Sequence, residues 1–276
     1  MRMLNGKELA GFIKERQAKQ VRSLRQARGI QPKLAIVVTA KDNKVIDLYT
    51  RLKHQYGSDI LVDVDIHRVD QKEVRGLLNK LSKDASVHAI IVQLPLEDPS
   101  ETDEIVALVD PAKDVDGLVP GSRFEPATPL AVLWLLSGYN VNLAGKEVVL
   151  VGRGKLVGEP FEKMLLASGI TPRVVVKETA DVPGEIRKGD VVVSATGVPG
   201  LIKPDMLKED AVVVDAGVAS EGGKTVGDVA PEVYEERDDL TITPAKGGVG
   251  PLTVCALFEN VIRAAENTAA PPPTLE

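Results

Sequence analysis

The segment "DLYTRLK", Asp47 to Lys53, sets a phenol and an amine four residues apart, at Tyr49 and Lys53. On a helix such residues share a face, so both can meet one flat ligand lying across it. The bland alternative is a solvated lysine beside a half-buried tyrosine, with Leu48 and Leu52 as the core anchors of that helix. Further along, "VVLVGRGKLVGEP" spaces Gly152, Gly154 and Gly158 as G-x-G-x-x-x-G, one residue longer than the common dinucleotide fingerprint. Its place between a strand pattern and a helix pattern suits pyrophosphate binding. Glycine permits the tight turn, main-chain N–H groups approach the phosphates, and the helix N-terminus adds partial positive charge. Arg153 in the turn and Lys177 at the end of the next strand could pair with a 2′-phosphate, which favours NADP; Glu178, if it faced the ribose instead, would favour NAD.

Three more stretches place polar groups where open α/β sheets bind ligands, beyond the carboxyl ends of strands. "IIVQLPL" places Gln93 where its strand ends, and Pro95 stops the strand; "DPAKDVDGL" holds Asp114 and Asp116 in a turn before Gly117; "TPAKGGVGPLT" is a glycine loop leading to a helix, with Thr253 near its start. Each also has a dull reading as a strand end, an Asx-turn or a simple chain reversal.

The elements that must position these groups follow from periodicity. Helices are expected over Lys7–Ala27, with Leu9, Phe12, Ile13, Val21 and Leu24 on one face, and over "KVIDLYTRLKHQYG", "KEVRGLLNKLSK" and the closing "GPLTVCALFENVIRAAENTA". Strands are expected at "KLAIVVTA", "DILVDVDIHRV" and "HAIIVQLPL", then at "KEVVLVG", "RVVVKET", "DVVVSATG", "AVVVDAG" and "LTITPA". Strands alternating with helices imply parallel sheets, so the fold class is α/β, in two lobes with a cleft between them. The first lobe spans 1–127 and is completed by the helix at 250–268, the nucleotide lobe spans 128–249, and 269–276 is a disordered tail.

Composition narrows the function. The 276 residues include 43% hydrophobic residues and carry a net charge of −6, which argues against nucleic-acid binding by phosphate neutralisation. One cysteine, Cys255, excludes an intrachain disulfide, and His54, His67 and His88 have no metal-ligand spacing. Neither a signal peptide nor an apolar run of the ~20 residues a membrane span needs is present, so a cytoplasmic protein is expected.

Taken in order, the strings Tyr49-x-x-x-Lys53, "QLPL" (Gln93–Leu96), "KDVDG" (Lys113–Gly117), Thr128-Pro129, the glycine turn, "VGDV" (Val226–Val229) and "GGVGPLT" (Gly247–Thr253) closely resemble the bifunctional methylenetetrahydrofolate dehydrogenase/methenyltetrahydrofolate cyclohydrolase family. The likeness runs from about Leu4 to Ala265. It implies oxidation of 5,10-methylenetetrahydrofolate with NADP, hydrolysis of the methenyl product to 10-formyltetrahydrofolate, and a homodimer. By this resemblance Lys53 is the general acid/base, Gln93 its positioning partner, Asp116 the anchor of the pterin and Tyr49 a packing surface. The implied folate site adds Val92, Leu94, Pro95, Lys246, Gly247, Gly248, Gly250, Pro251 and Thr253. The implied cofactor site comprises Gly152, Arg153, Gly154, Val157, Gly158, Lys177, Thr196, Gly197, Gly217 and Val218.

The chemistry is coherent. A free lysine, with pKa ~10.4, stays charged at neutrality, but apolar walls and a bound cation disfavour the ammonium. Such an amine can give and take protons near neutral pH. Gln93 can orient it without pinning the charge, and Asp116 can accept two charge-assisted hydrogen bonds from a pterin edge. Several positions depart from the family pattern. Ile46 replaces a serine three residues before the tyrosine, Gly154 replaces a serine after "GR", Lys246 replaces a proline, and "VVVKETADVP" is shortened and lacks a serine. Two rival readings are a dehydrogenase of another small metabolite, of the shikimate type, and a folate- or nucleotide-binding protein without turnover.

Overall fold

The valine-rich runs form the strands of parallel sheets. The computed structural model describes residues 1–221 and 224–268, and the expected disordered tail at 269–276 lies outside them. Among the described residues two compact units appear, one of Met1–Gly11 with Thr128–Thr253, the other of Phe12–Ala127 with the residues from Val254 on.

In the first unit a six-stranded sheet runs in the order Arg2–Met3, Thr241–Ile242, Val212–Asp215, Val191–Ser194, Val148–Val151, Arg173–Val175, and every pairing is parallel. Val149, Val151, Val192, Val213 and Ile242 belong to one core cluster of this sheet. The chain leaves Val151 for the edge strand at Arg173, then returns to the other side at Val191. That reversal makes a topological switch point beyond Val151 and Ser194, where such sheets bind ligands. A short antiparallel hairpin pairs Ala219–Glu221 with Lys224–Val226.

In the second unit a three-stranded parallel sheet has Lys33–Val38 at its centre, Asp63–Arg68 on one side and Ala89–Val92 on the other. Its switch point lies beyond Val38 and Val92, and the Gln93 N–H donates to Val37 O at 2.8 Å, holding the chain there. The Lys44–Asp59 helix follows the central strand, and Asn43 Oδ1 caps it by accepting from the N–H groups of Val45 and Ile46.

Several expectations need correction. Phe12 is 66% exposed, and the buried stripe of the Gly6–Arg28 helix is Ile13, Gln17, Val21 and Leu24. Leu48 and Leu52 are 43% and 46% exposed, so they are not core anchors; the helix buries Ile46, Thr50 and Gly57 instead. The strand expected over "DILVDVDIHRV" begins only at Asp63, because the preceding helix runs to Asp59 and Leu61 turns at φ +66. The Ala127–Gly138 helix was not anticipated. It is apolar on nearly every face, so no periodicity marks it, and Ala131, Val132, Leu135 and Leu136 are buried.

Candidate active site

Lys53 lies on the buried stripe of its helix, in step with Ile46, Thr50 and Gly57. Its Nζ donates to Gln93 Oε1 at 2.7 Å, and Gln93 Nε2 donates to Leu94 O at 2.9 Å. The carboxamide is therefore held with its oxygen toward the amine. Leu94 and Pro95 are joined by a cis peptide, and Val92, which ends the strand, is 4% exposed. Tyr49, one turn before Lys53, is half-buried, and Thr50 Oγ1 donates back to Ile46 O at 2.7 Å. At 1% exposure Ile46 fills the core where the family pattern has a hydroxyl.

Burial lowers the pKa of Lys53, and the nearby Asp116 carboxylate works against that lowering. Burial likewise raises the pKa of Asp116; Lys53 opposes the rise and Asp114 adds to it. Burial therefore disfavours the charged form of both groups. The loop carrying Asp116 is tightly fixed. Asp114 Oδ2 accepts from the Val119 N–H at 2.8 Å, and Gly117 turns at φ +70 where a Cβ would stand 2.7 Å from Phe124 O. Asn260 Nδ2 donates to both Val115 O and Glu125 O at 2.9 Å.

In the first unit the glycine turn follows Val151 and opens the Gly158–Ala167 helix. Its three glycines meet three different demands. Gly152 has φ +94, and a Cβ there would stand 2.8 Å from Ala195 O on the adjoining loop. A Cβ on Gly158 would come within 2.2 Å of Gly152 O, so strand and helix pack backbone to backbone. Nothing lies within 4 Å of a Cβ on Gly154, leaving that side open to a ligand. Tight turn, open approach and close packing are the roles a dinucleotide turn requires, so these residues fit a pyrophosphate. Val157 precedes the helix, its N–H donating to Gly154 O at 3.3 Å. Arg153 Nε donates to Glu162 Oε2 at 2.5 Å, while Lys177 is 90% exposed with Glu178 Oε1 3.5 Å from its Nζ. A cavity of about 850 Å³ opens at the other end of this sheet, by Leu136, Asn140, Lys146 and Ile170, and takes in none of these residues.

Sequence reading assigned no role to Asp228, although "VGDV" was among the matching strings. Asp228 is fully buried, and its Oδ2 accepts from Ser194 Oγ at 2.6 Å and from the Thr196 N–H at 2.7 Å. A Cβ on Gly217 would collide with its carboxylate at 2.0 Å. Asp215 in turn accepts from the N–H groups of Gly217, Asp228 and Val229. This pair of carboxylates underpins the loops carrying Thr196–Gly197 and Gly217–Val218, both beyond strand ends at the switch-point edge. The Lys246–Thr253 segment belongs to the same unit. Lys246 is exposed, Gly247 has φ +86 and its O accepts from the Lys7 N–H at 2.9 Å, and Gly250, Pro251 and Thr253 lie in the first turns of the Val249–Thr268 helix.

Comparison with known proteins decides the lineage. The tetrahydrofolate dehydrogenase/cyclohydrolase catalytic domain matches residues 4–116, and the NAD(P)-binding domain of the same family matches residues 126–269. The chain belongs to the tetrahydrofolate dehydrogenase/cyclohydrolase family. It is 41% identical to the bifunctional protein FolD 2 of Geobacter sulfurreducens over 96% of each chain. The crystal structure of the bifunctional enzyme FolD from Campylobacter jejuni superposes with a TM-score of 0.90 at 36% identity, covering 97% of this chain and 99% of that one. The Trypanosoma brucei methylenetetrahydrofolate dehydrogenase-cyclohydrolase, complexed with NADP cofactor and inhibitor, superposes with a TM-score of 0.88 at 29% identity, covering 96% of this chain and 97% of that one. The glycine turn lies in the part matched by the NAD(P)-binding domain, and the Lys53–Gln93 pair lies in the part matched by the catalytic domain.

Proposed function

We propose that this chain oxidises 5,10-methylenetetrahydrofolate with NADP and hydrolyses the methenyl product to 10-formyltetrahydrofolate, with Lys53 as the general acid/base of the second step. The observation that carries the assignment of Lys53 is its 2.7 Å hydrogen bond to a neutral carboxamide within a buried setting. The acceptor orients the amine, and burial lowers its pKa toward the range in which one group both accepts and donates protons. Asp116 accepts from the pterin N–H groups and fixes the ring, while Tyr49 packs on it.

The nucleotide is held by Gly152, Arg153, Gly154, Val157, Gly158 and Lys177, with Thr196–Gly197 and Gly217–Val218 on the adjoining loops. When bound, NADP supplies the hydride acceptor. Arg153 pairs with the 2′-phosphate, and the N-terminal N–H groups of the Gly158–Ala167 helix face the pyrophosphate. Lys246 adds a cation for the glutamate tail or the phosphates. The division into a folate lobe over 1–127 with the last helix, and a nucleotide lobe over 128–249, belongs to this proposal with one change, since Met1–Gly11 group with Thr128–Thr253; so do a cytoplasmic homodimer and the folate contacts of Val92, Leu94, Pro95, Gly247, Gly248, Gly250, Pro251 and Thr253.

The test is spectrophotometric. Methylenetetrahydrofolate with NADP should give NADPH and a methenyl band that then decays, faster than with NAD. Lys53→Met should slow that decay by about 100-fold or more while leaving the protein folded, the scale of lost acid/base catalysis. Decay at the parent rate would remove Lys53 from the mechanism. Folate-induced thermal stabilisation without any NADPH would instead establish a binding protein.

A further inference from the structure

We propose that Asn260, a residue of the closing helix far from the matching strings around Asp116, is a positioning residue that sets where the Asp116 carboxylate stands. The inference rests on the reading of Asp116 as the pterin anchor. Asn260 is completely buried, between Phe258 and Val261–Ile262, which are buried as well. A polar amide there costs desolvation that an apolar side chain of the same size would avoid, and asparagine is a poor helix former. What the amide does with its donors is specific. An NH2 group has two, and both are used, on Val115 O and on Glu125 O, each at 2.9 Å. Val115 is the residue before Asp116, and Glu125 lies at the far end of the same loop. One side chain thus clasps both ends of the segment that carries the anchor.

The clasp adds to bonds the loop already makes, Asp114 Oδ2 accepting from the Val119 N–H at 2.8 Å and Ser122 Oγ donating to Asp114 O at 3.0 Å. Between Val115 and Glu125 the backbone closes Ser122 N–H to Val119 O at 2.9 Å, while Gly117 N–H reaches Asp114 O at only 3.4 Å. Gly117 already presses on the returning strand of the loop, a Cβ there falling 2.7 Å from Phe124 O and 2.8 Å from Pro126 N. Pulling Val115 and Glu125 onto one amide keeps that close approach in place, and with it the direction of the side chain between them. The Asn260 Oδ1 is buried without a hydrogen-bond partner among the described residues. The residue is held at a cost on its acceptor side, and its donor side accounts for its presence.

The experiment is a double-mutant cycle, because residues acting through one another lose additivity. Tetrahydrofolate and NADP dissociation constants are measured by calorimetry on the full chain for the parent, Asn260→Leu, Asp116→Ala and the double variant. Leucine keeps the branching at Cγ, in a larger side chain, and removes the donors. Losing two hydrogen bonds that hold the anchor should weaken tetrahydrofolate about tenfold in the parent background and less than about twofold in the Asp116→Ala background. NADP affinity should stay within about twofold throughout. Asn260→Ser, smaller and with one donor, is measured alongside so that a misfolded leucine variant does not decide the matter. Equal losses in both backgrounds, a parallel loss of NADP affinity, or an unchanged tetrahydrofolate constant for the folded Asn260 variant would each overturn the inference. If Asp116→Ala itself leaves tetrahydrofolate binding intact, the anchor reading falls, and the role of Asn260 falls with it. If Asp116→Ala weakens binding and the Asn260 variants do not, only the present inference falls.

Discussion

Lys53 Nζ and Gln93 Oε1 are 2.7 Å apart, one side chain coming from the helix after the central strand and the other from the end of the neighbouring strand. The partner is neutral, so the proton balance on Lys53 is set by burial on one side and by Asp116 on the other. Both influences can be moved by single substitutions.

Gln93→Glu places a carboxylate where the amide oxygen now accepts. A negative charge at that distance favours the ammonium and raises the pKa of Lys53. The neutral amine then forms only at higher pH, so the rising limb of the cyclohydrolase pH profile should shift to alkaline pH. Asp116→Asn removes the charge that opposes burial, so its limb should shift to acid pH. Profiles of kcat at saturating methenyltetrahydrofolate check both signs; a limb that stays put in both variants excludes Lys53 as the titrating group.

The three glycines of the nucleotide turn should separate folding from binding. Gly158→Ala collides with the Gly152 carbonyl and should lower both Tm and NADP affinity. Gly154→Ala meets no atom within 4 Å, so Tm should hold while NADP binding weakens as the methyl intrudes on the phosphates. Thermal melts with and without NADP read the two effects separately.

Arg153 bears on the choice between cofactors. With Glu162 orienting its guanidinium, Arg153→Ala should raise the KM for NADP by about tenfold or more, the scale of a charge-assisted bond, and change that for NAD little. Equal increases for both would place the 2′-phosphate elsewhere.

The orientation of the Lys44–Asp59 helix is testable through stability alone. Ile46→Ala should cost about 2–5 kcal/mol, as large-to-small changes in a core do. Leu52→Ala, at a position 46% exposed, should stay within about 0.5 kcal/mol. Urea unfolding of the two variants measures the difference; similar losses would mean that the helix is rotated from the face described.

Much of this was legible in the chain. The valine runs marked most of the strands, and the glycine spacing marked the turn between Val151 and the Gly158–Ala167 helix. Where local pattern misled, burial had been assigned by residue type. Phe12 and Leu52 look like core residues and face outward, whereas Gln17 and Thr50 look like surface residues and are buried. Gln17 is tolerated inside because its Nε2 finds Cys255 O and Glu259 Oε2, both at 2.9 Å and both far along the chain. The Ala127–Gly138 helix escaped notice for the opposite reason: a segment apolar all round carries no periodic signal.

The sequence by itself determined the fold class and the family, because these reside in short strings whose spacing survives without coordinates. Tertiary structure decided which distant groups meet. Lys53 reaches an amide 40 residues away, Asp228 gathers a hydroxyl 34 residues away, and Asn260 clasps a carbonyl 145 residues away. Helical and strand periods report only which face a residue shares with its near neighbours. Contacts of this range are set by the sheet order and by loops turning back over strand ends, and no local pattern encodes either.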